Sequence, residues 1–203
     1  MSTLSSQPEL PLRIAVLFLA GVVFSLLFST LLIQREVTSL PTELLNDMAS
    51  SAWWVPIAAG VLSLCVGMLY PTVDSIYGTK PVLQCDWSNL IRCSIIFFGI
   101  NHACMKLDYI NSVQLSVTLG VLSITMWWLF DRTVSGLVVG LISTFVFISV
   151  SQFFVYHGFA SYKAPDFFLL RSWIPSLIFS AVITFGTIGR QLSAFRFTHA
   201  HED

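Results

Sequence analysis

Charged side chains are scarce in this chain of 203 residues. Asp, Glu, Lys and Arg make up 10% of it, whereas a soluble domain carries about 25%. Hydrophobic residues make up 55%, and the mean hydropathy is +0.79. This composition is typical of a protein that spans a membrane. The formal net charge is −1 and the basic residues are scattered, so a phosphate-binding face is excluded and nucleic acid is not expected as a partner.

Catalytic motifs are also lacking. The chain has no G-x-S-x-G, no H-E-x-x-H, no phosphate-binding loop and no glycine-rich dinucleotide turn. His102 and Asp108 are six residues apart, so they do not share a helical face. The cysteines show no C-x-x-C spacing and are expected to pack as small hydrophobic thiols; they are Cys65, Cys85, Cys93 and Cys104. The sequence therefore predicts no enzyme, no metal site and no cofactor.

Long apolar runs dominate the chain instead. A bilayer core about 30 Å thick needs roughly 20 helical residues, and six windows come close to that length. We predict an all-α, polytopic membrane protein with six transmembrane helices in one bundle over residues 14–190. Short tails, 1–13 and 191–203, flank this domain, and the first apolar run is expected to be a retained span. The windows are 14–33, 53–70, 90–105, 113–130, 137–156 and 168–188.

Proline and glycine set the expected ends and contacts of these spans. Pro71 is expected to end the second span, Pro175 to interrupt the sixth, and Gly189 with Arg190 to end it. Small residues let helices approach closely. The pairs Gly136 with Gly140 and Gly186 with Gly189 are therefore expected to pack helices against each other.

The distribution of basic residues predicts the orientation. With six spans, both termini lie on one side, and basic residues concentrate on the cytosolic side of membrane proteins. The side with the termini would carry Arg13, Lys80, Arg92, Arg132, Arg190 and Arg196, and the other side Arg35, Lys106, Lys163 and Arg171. Both termini are therefore expected in the cytosol.

One segment, residues 97–118, is unusually polar for its surroundings. A charged group at bilayer depth costs about 2.5–3.5 kcal/mol by insertion scales, so it faces protein, water or ligand. We expect the first polar group to end the third span and form a luminal turn solvated by water; it comprises Asn101, His102, Lys106, Asp108 and Asn111. Gln114 and Thr118 would lie within the fourth span.

Gln114 and Thr118 are four residues apart, so both point to one side of a helix, with Val121 and Leu122 continuing the stripe. One amide and one hydroxyl among aliphatic side chains could anchor a polar group of a flat apolar ligand. Interhelical hydrogen bonding is the alternative, and the residues alone favour it. Asp131 follows an aromatic belt. Its position is typical of a solvated helix end that Arg132 neutralises.

Eight blocks resemble the Insig (insulin-induced gene) family, in order and at matching spacing from about residue 34 to 192. The blocks contain tryptophans and polar residues at fixed positions, and chance similarity between apolar spans would not preserve these positions. The blocks are SSAWWVP (Ser50–Pro56), MLYP (Met68–Pro71), FFGINHA (Phe97–Ala103), QLSVTL (Gln114–Leu119), WWLFDR (Trp127–Arg132), APDF (Ala164–Phe167), RSWIP (Arg171–Pro175) and IGRQL (Ile188–Leu192).

The resemblance implies a multi-pass endoplasmic reticulum protein that is not an enzyme. Family members bind oxysterols such as 25-hydroxycholesterol and retain the escort protein Scap with its sterol regulatory element-binding protein. They also bring HMG-CoA reductase to membrane ubiquitin ligases for degradation. We therefore expect feedback inhibition of cholesterol synthesis, with an oxysterol as the ligand and with Scap, the reductase, the ligases and the lipid bilayer as partners.

Residue roles follow from the resemblance by motif position. Phe97, Gln114, Thr118 and Trp127 match family residues near the sterol. Asp131 matches the aspartate needed for Scap association. A small transporter or channel is the alternative function, because the third span is polar. A membrane-embedded enzyme is a third possibility, but it lacks a paired nucleophile and base.

Overall fold

The described residues form an all-helical bundle in this computed structural model. They are 9–34, 54–78, 86–106, 112–156 and 172–199. A π-helical turn, Trp127–Asp131, directly continues the fourth helix. The six helices are α1 (Glu9–Gln34), α2 (Trp54–Tyr77), α3 (Trp87–Lys106), α4 (Ser112–Met126), α5 (Val134–Tyr156) and α6 (Ile174–His199). An all-α architecture with a helix at each predicted window is confirmed.

Helix α6 occupies the centre of the bundle and contacts all five other helices and the π-helical turn. Around it, α1 packs on α2, α2 on α5, and α3 on α4, while α5 reaches the π-helical turn. Phe24 connects α1 to α3. The centroid of its ring lies 5.9 Å from that of Phe97 and 4.5 Å from that of Phe98. In the described part of the chain, five helices therefore surround a sixth.

Four described helical stretches are long and apolar enough to cross a membrane: Leu10–Leu27, Pro56–Tyr77, Val113–Asp131 and Val134–Phe153. The central position of α6 explains why it is more polar, since protein rather than lipid surrounds it. Its buried polar side chains are Ser180, Thr184, Thr187, Arg190 and Gln191. Several of these hydroxyls donate a hydrogen bond to a backbone carbonyl of their own helix. Thr184 Oγ1, for example, donates to the Ser180 carbonyl at 2.8 Å.

Two predicted helix ends and one predicted interruption were wrong. Pro71 does not end α2, which continues to Tyr77. Pro175 lies in the first turn of α6 and starts the helix rather than interrupting it, because the first helical amides need no intrahelical acceptor. Gly189 and Arg190 lie inside α6, which runs to His199. The start of the predicted sixth window, residues 168–171, lies outside the described residues.

A proline inside α2 leaves a carbonyl that a neighbouring helix uses. Pro71 has no amide hydrogen, so it cannot donate to the Gly67 carbonyl one turn earlier. Arg13 Nη2 of α1 lies 3.4 Å from that oxygen and 3.3 Å from the Gly189 carbonyl of α6. One guanidinium therefore joins α1, α2 and α6. In a membrane, backbone carbonyls released by proline need such partners.

Glycines make this crossing close, as the sequence predicted. A Cβ on Gly189 would overlap the backbone of Gly67, and one on Gly186 would overlap the ring of Tyr70. Gly140 likewise faces the ring of Phe179, which would lie 2.8 Å from an added Cβ. The packing role of the glycine pairs is confirmed for these positions.

We expect Gly189→Ala to destabilise the bundle by about 1–3 kcal/mol, because backbone cannot move aside as a side chain can. The matched control is Gly99→Ala, where an added Cβ meets nothing within 4 Å and helix propensity favours alanine by roughly 0.5–1 kcal/mol. Thermal unfolding in detergent measures both. Equal midpoints for the two variants would contradict the close α2–α6 crossing.

Candidate functional site

A buried ion cluster joins four segments at one end of the bundle. Arg190 of α6 donates from Nε to Asp74 Oδ2 at 2.5 Å and from Nη2 to Asp74 Oδ1 at 2.8 Å. Its Nη1 donates to Asp131 Oδ1 at the end of the π-helical turn. The Asp131 side chain is 0% exposed. Two carboxylates thus share one guanidinium whose planar fork suits bidentate pairing.

Hydroxyl groups complete the cluster. Thr133 Oγ1 donates to Asp131 Oδ1 at 2.5 Å and accepts from the Gly136 amide at 3.0 Å. Ser135 Oγ donates to Asp74 Oδ1 at 2.6 Å. The Arg190 guanidinium also lies 4.7 Å from the Tyr70 ring centroid, a cation–π distance. The cluster therefore links α2, the π-helical turn, α5 and α6.

The π-helical turn places its aromatic residues through the same connections. Arg132 ends it in the left-handed region, at φ 53°, and its amide donates to the Trp127 carbonyl at 2.8 Å. Trp127 Nε1 donates to the Thr133 carbonyl at 3.0 Å. Wide turns of this kind often occur at functional sites. Asp131 and Thr133 thus fix the backbone that carries the two tryptophans.

The expectation of a solvated Asp131 neutralised by Arg132 was wrong. Arg190 supplies the cation from 59 residues along the chain. The guanidinium of Arg132 lies instead 4.9 Å from the ring centroid of Trp128. A buried carboxylate without a cation is costly, so the long-range pair forms in place of the local one.

Sequence reasoning missed Asp74 and Arg190 as members of a site. The available signal was that Asp74 follows Pro71 by three residues, so a helix continuing through the proline would extend the span and carry an acid within it. Arg190 gave the complementary signal at the far end of the sixth window. Their pairing across 116 residues depends on the α2–α6 crossing, which local patterns do not encode.

The predicted ligand face on α4 is divided between core and surface. Gln114 is exposed and Val121 is exposed, whereas Leu122 packs toward the buried cluster around Leu119. Thr118 Oγ1 donates to the Gln114 carbonyl at 2.8 Å. The helix therefore presents Gln114, Thr118 and Val121 outward, while Leu122 belongs to the interior.

The other two residues matched to the sterol lie deeper. Phe97 is 4% exposed and packs with Cys93 and Met126. Trp127 is partly buried, and its indole N–H is committed to Thr133. The structure thus places Gln114 and Thr118 on the outer face of α4, and Phe97 behind it in the core.

Asn101 is buried, although it was expected to belong to a turn solvated by water. Its side chain is 2% exposed, and Nδ2 donates to the Phe97 carbonyl at 2.6 Å. Its Oδ1 has no hydrogen-bond partner within the described residues. His102 is exposed, as expected. Asp108 and Asn111 lie outside the described part of the chain.

Metal-ligating side chains do not cluster in the described part of the chain. No group of three or more His, Cys, Asp or Glu side chains there could hold a metal ion. Cys65 and Cys93 are free thiols, of which Cys93 is buried. Both oxygens of Asp74 and Oδ1 of Asp131 accept from arginine or hydroxyl donors, whereas Asp131 Oδ2 is buried without a hydrogen-bond partner among the described residues.

Removing the shared cation is expected to destabilise the fold strongly. Arg190→Gln leaves Asp74 and Asp131 together without a counter-ion, and losing one partner of a buried pair costs about 3–5 kcal/mol. Arg92→Gln removes an exposed arginine on α3 and is the control. Denaturation in detergent micelles compares them. A shift no larger than that of the control would show that the cluster does not stabilise the bundle.

Comparisons with known proteins agree with this architecture. Residues 12–193 match the family model for insulin-induced protein (INSIG). The chain is 45% identical to insulin-induced gene 1 protein of Xenopus tropicalis over 94% of this chain and 76% of that protein. Identity to the Homo sapiens protein of that name is 47%, over 89% of this chain and 65% of that protein.

Solved structures support the fold alone, because their sequence identity is low. A crystal structure of a mycobacterial Insig homolog, MvINS from Mycobacterium vanbaalenii, superposes with a TM-score of 0.77 at 17% identity. It covers 91% of this chain and 95% of that one. A cross-linked trimer of a cysteine variant of MvINS gives a TM-score of 0.75. The chain belongs to the insulin-induced protein (Insig) family of multi-pass membrane regulators.

Proposed function

We propose that this protein is an oxysterol-binding regulator of the endoplasmic reticulum membrane. It retains the Scap–sterol regulatory element-binding protein complex and promotes sterol-stimulated degradation of HMG-CoA reductase through membrane ubiquitin ligases. The observation that carries the proposal is the family match over residues 12–193, together with an outward α4 face that combines Gln114 and Thr118 with apolar side chains.

The neighbours of Gln114 and Thr118 favour a sterol over a water-soluble ligand. Around the two polar side chains, α4 exposes large apolar residues, namely Val113, Val117, Val121 and Ile124. Such a face lies against lipid in a membrane protein. A flat, apolar molecule with one or two hydroxyls matches it, because its rings would cover the aliphatic side chains and its hydroxyl would meet the polar ones.

Hydrogen bonding would carry the selectivity. Lipid tails are as apolar as a sterol, so leaving lipid for this face gains little hydrophobic free energy. The Thr118 hydrogen is committed to the Gln114 carbonyl, so the hydroxyl oxygen can only accept from a ligand. The Gln114 amide can both donate and accept. Together they suit a sterol hydroxyl, which is both donor and acceptor.

A partner that covers this face would make the sterol part of the interface. The sterol then contacts both proteins, and linkage requires that partner and sterol raise each other's affinity by the same factor. Phe97 would support the face from behind through its packing on Met126. Asp131 would contribute to association with Scap from the adjoining π-helical turn.

The filled centre of the bundle disfavours a transport function. A channel or carrier needs a hydrated path near the axis, but α6 fills that position. Ile183 and Thr184 of α6 are both fully buried. A filled centre in the described helices leaves the outer face as the better ligand site.

We further propose six spans with both termini in the cytosol. An epitope tag at either end is expected to react with antibody after digitonin permeabilises the plasma membrane alone. A luminal marker protein is the control, and it should stay unlabelled until a second detergent opens the endoplasmic reticulum. Labelling of only one tag in the first step would exclude an even number of spans.

Sterol-dependent capture of Scap tests the site. Gln114→Ala and Thr118→Ala are each expected to raise the 25-hydroxycholesterol concentration needed for half-maximal co-purification by roughly fivefold or more, from loss of one hydrogen bond of about 1 kcal/mol. Thr72→Ala removes an exposed hydroxyl from α2, which bonds to its own helix at 2.9 Å, and should leave the titration unchanged. Sterol-independent capture by the wild type would exclude the shared-ligand mechanism, and unchanged titrations in both α4 variants would exclude these residues.

A further inference from the structure

The side chain of Asp131 is buried, so its proposed contribution to Scap association has to act without direct contact with the partner. It is 0% exposed, and Oδ1 is already bonded by Arg190 and Thr133. Its Oδ2 lies against Gly136, where an added Cβ would overlap it. A docking protein would instead meet the outer residues of the π-helical turn, Trp128 and Leu129, which are 54% and 63% exposed.

We propose that Asp131 supports partner association indirectly, by holding the π-helical turn through Arg190, and that Arg190 and Asp74 are positioning residues for the partner. This inference rests on the proposed association with Scap. It adds two residues from α2 and α6 to a role that the family resemblance implied only for Asp131, at the end of the π-helical turn.

Asp131 is connected to the exposed tryptophan through short links. Asp131 is the last residue of the π-helical turn, and Thr133, bonded to its carboxylate, accepts from Trp127 through its carbonyl. The next residue, Arg132, stacks on Trp128. Displacing the Asp131 carboxylate therefore moves the backbone on which the outer face of the turn is built.

The cluster anchors Asp131 to the helices behind it. Arg190 is held in turn by two bonds to Asp74 on α2 and by contact with the Tyr70 ring. Tyr70 donates to the Gly136 carbonyl at 3.2 Å, so it also ties α2 to the start of α5. The turn is thus positioned against two helices, and loss of Asp74 should release Arg190 from one of them.

Arg190→Lys separates positioning from simple charge balance. Lysine retains the cation but is a point charge without the fork that bonds both carboxylates at once. We expect it to lower the thermal midpoint less than Arg190→Gln does, because the charge is kept. At a temperature well below that midpoint, sterol-dependent Scap capture is expected to weaken by roughly tenfold, a typical coupling between sites. Arg92→Lys, at an exposed position on α3, should change neither. Full capture by Arg190→Lys would overturn the proposal.

A double-variant cycle distinguishes indirect from direct action of Asp131. If Asp131 acts only through Arg190, then Asp131→Asn combined with Arg190→Lys should weaken capture within about twofold of the stronger single variant. If Asp131 touches the partner itself, the losses multiply, to roughly a hundredfold for two tenfold effects. Multiplied losses would overturn the indirect mechanism.

Thr133→Val tests the same link without altering any charge. It removes the hydroxyl that donates to Asp131 and accepts from Arg190. We expect weaker Scap capture, with Thr72→Val as the matched control at an exposed hydroxyl on α2. Capture by Thr133→Val equal to the control would count against the proposal. If wild type itself shows no sterol-dependent capture, the proposed function fails rather than the positioning role.

Discussion

Polar groups inside a membrane protein have to find their partners within the protein, and Arg190 meets that constraint for four segments at once. Its guanidinium forms ion pairs with Asp74 of α2 and Asp131 of the π-helical turn, and it bonds to Thr133 and Ser135. These charged side chains are largely buried in the protein, where leaving a charge unpaired is costly. The cluster thus ties α2, the π-helical turn and the start of α5 to α6.

A second arginine acts in the same region by a different route. Arg13 bonds to carbonyls of α2 and α6, one of which, that of Gly67, Pro71 leaves without its usual donor. Gly189 allows the two backbones to approach closely there. Proline, glycine and arginine thus act together: one frees the acceptor, one removes the steric barrier, and one supplies the donor.

The proposed sterol face and one carboxylate of the ion cluster, Asp131, lie on the same chain segment. Helix α4 presents Gln114 and Thr118 outward, then continues into the π-helical turn that ends at buried Asp131. A ligand on the helix and a partner on the turn would therefore share a single rigid element. This arrangement gives a physical basis for coupling between sterol and partner, because both would bias the same piece of structure.

The sequence by itself determined the membrane class, the approximate place of each described helix, the packing glycines and the family. These depend on composition, apolar length and ordered motifs, all of which are local properties. The structure alone decided that α6 is central, that α2 continues through Pro71, and that Asn101 and Asp131 are buried. Those outcomes depend on contacts between residues such as Asp74 and Arg190, which are 116 positions apart. The pairing of a buried charge is set by which helices meet, and no local pattern contains that information.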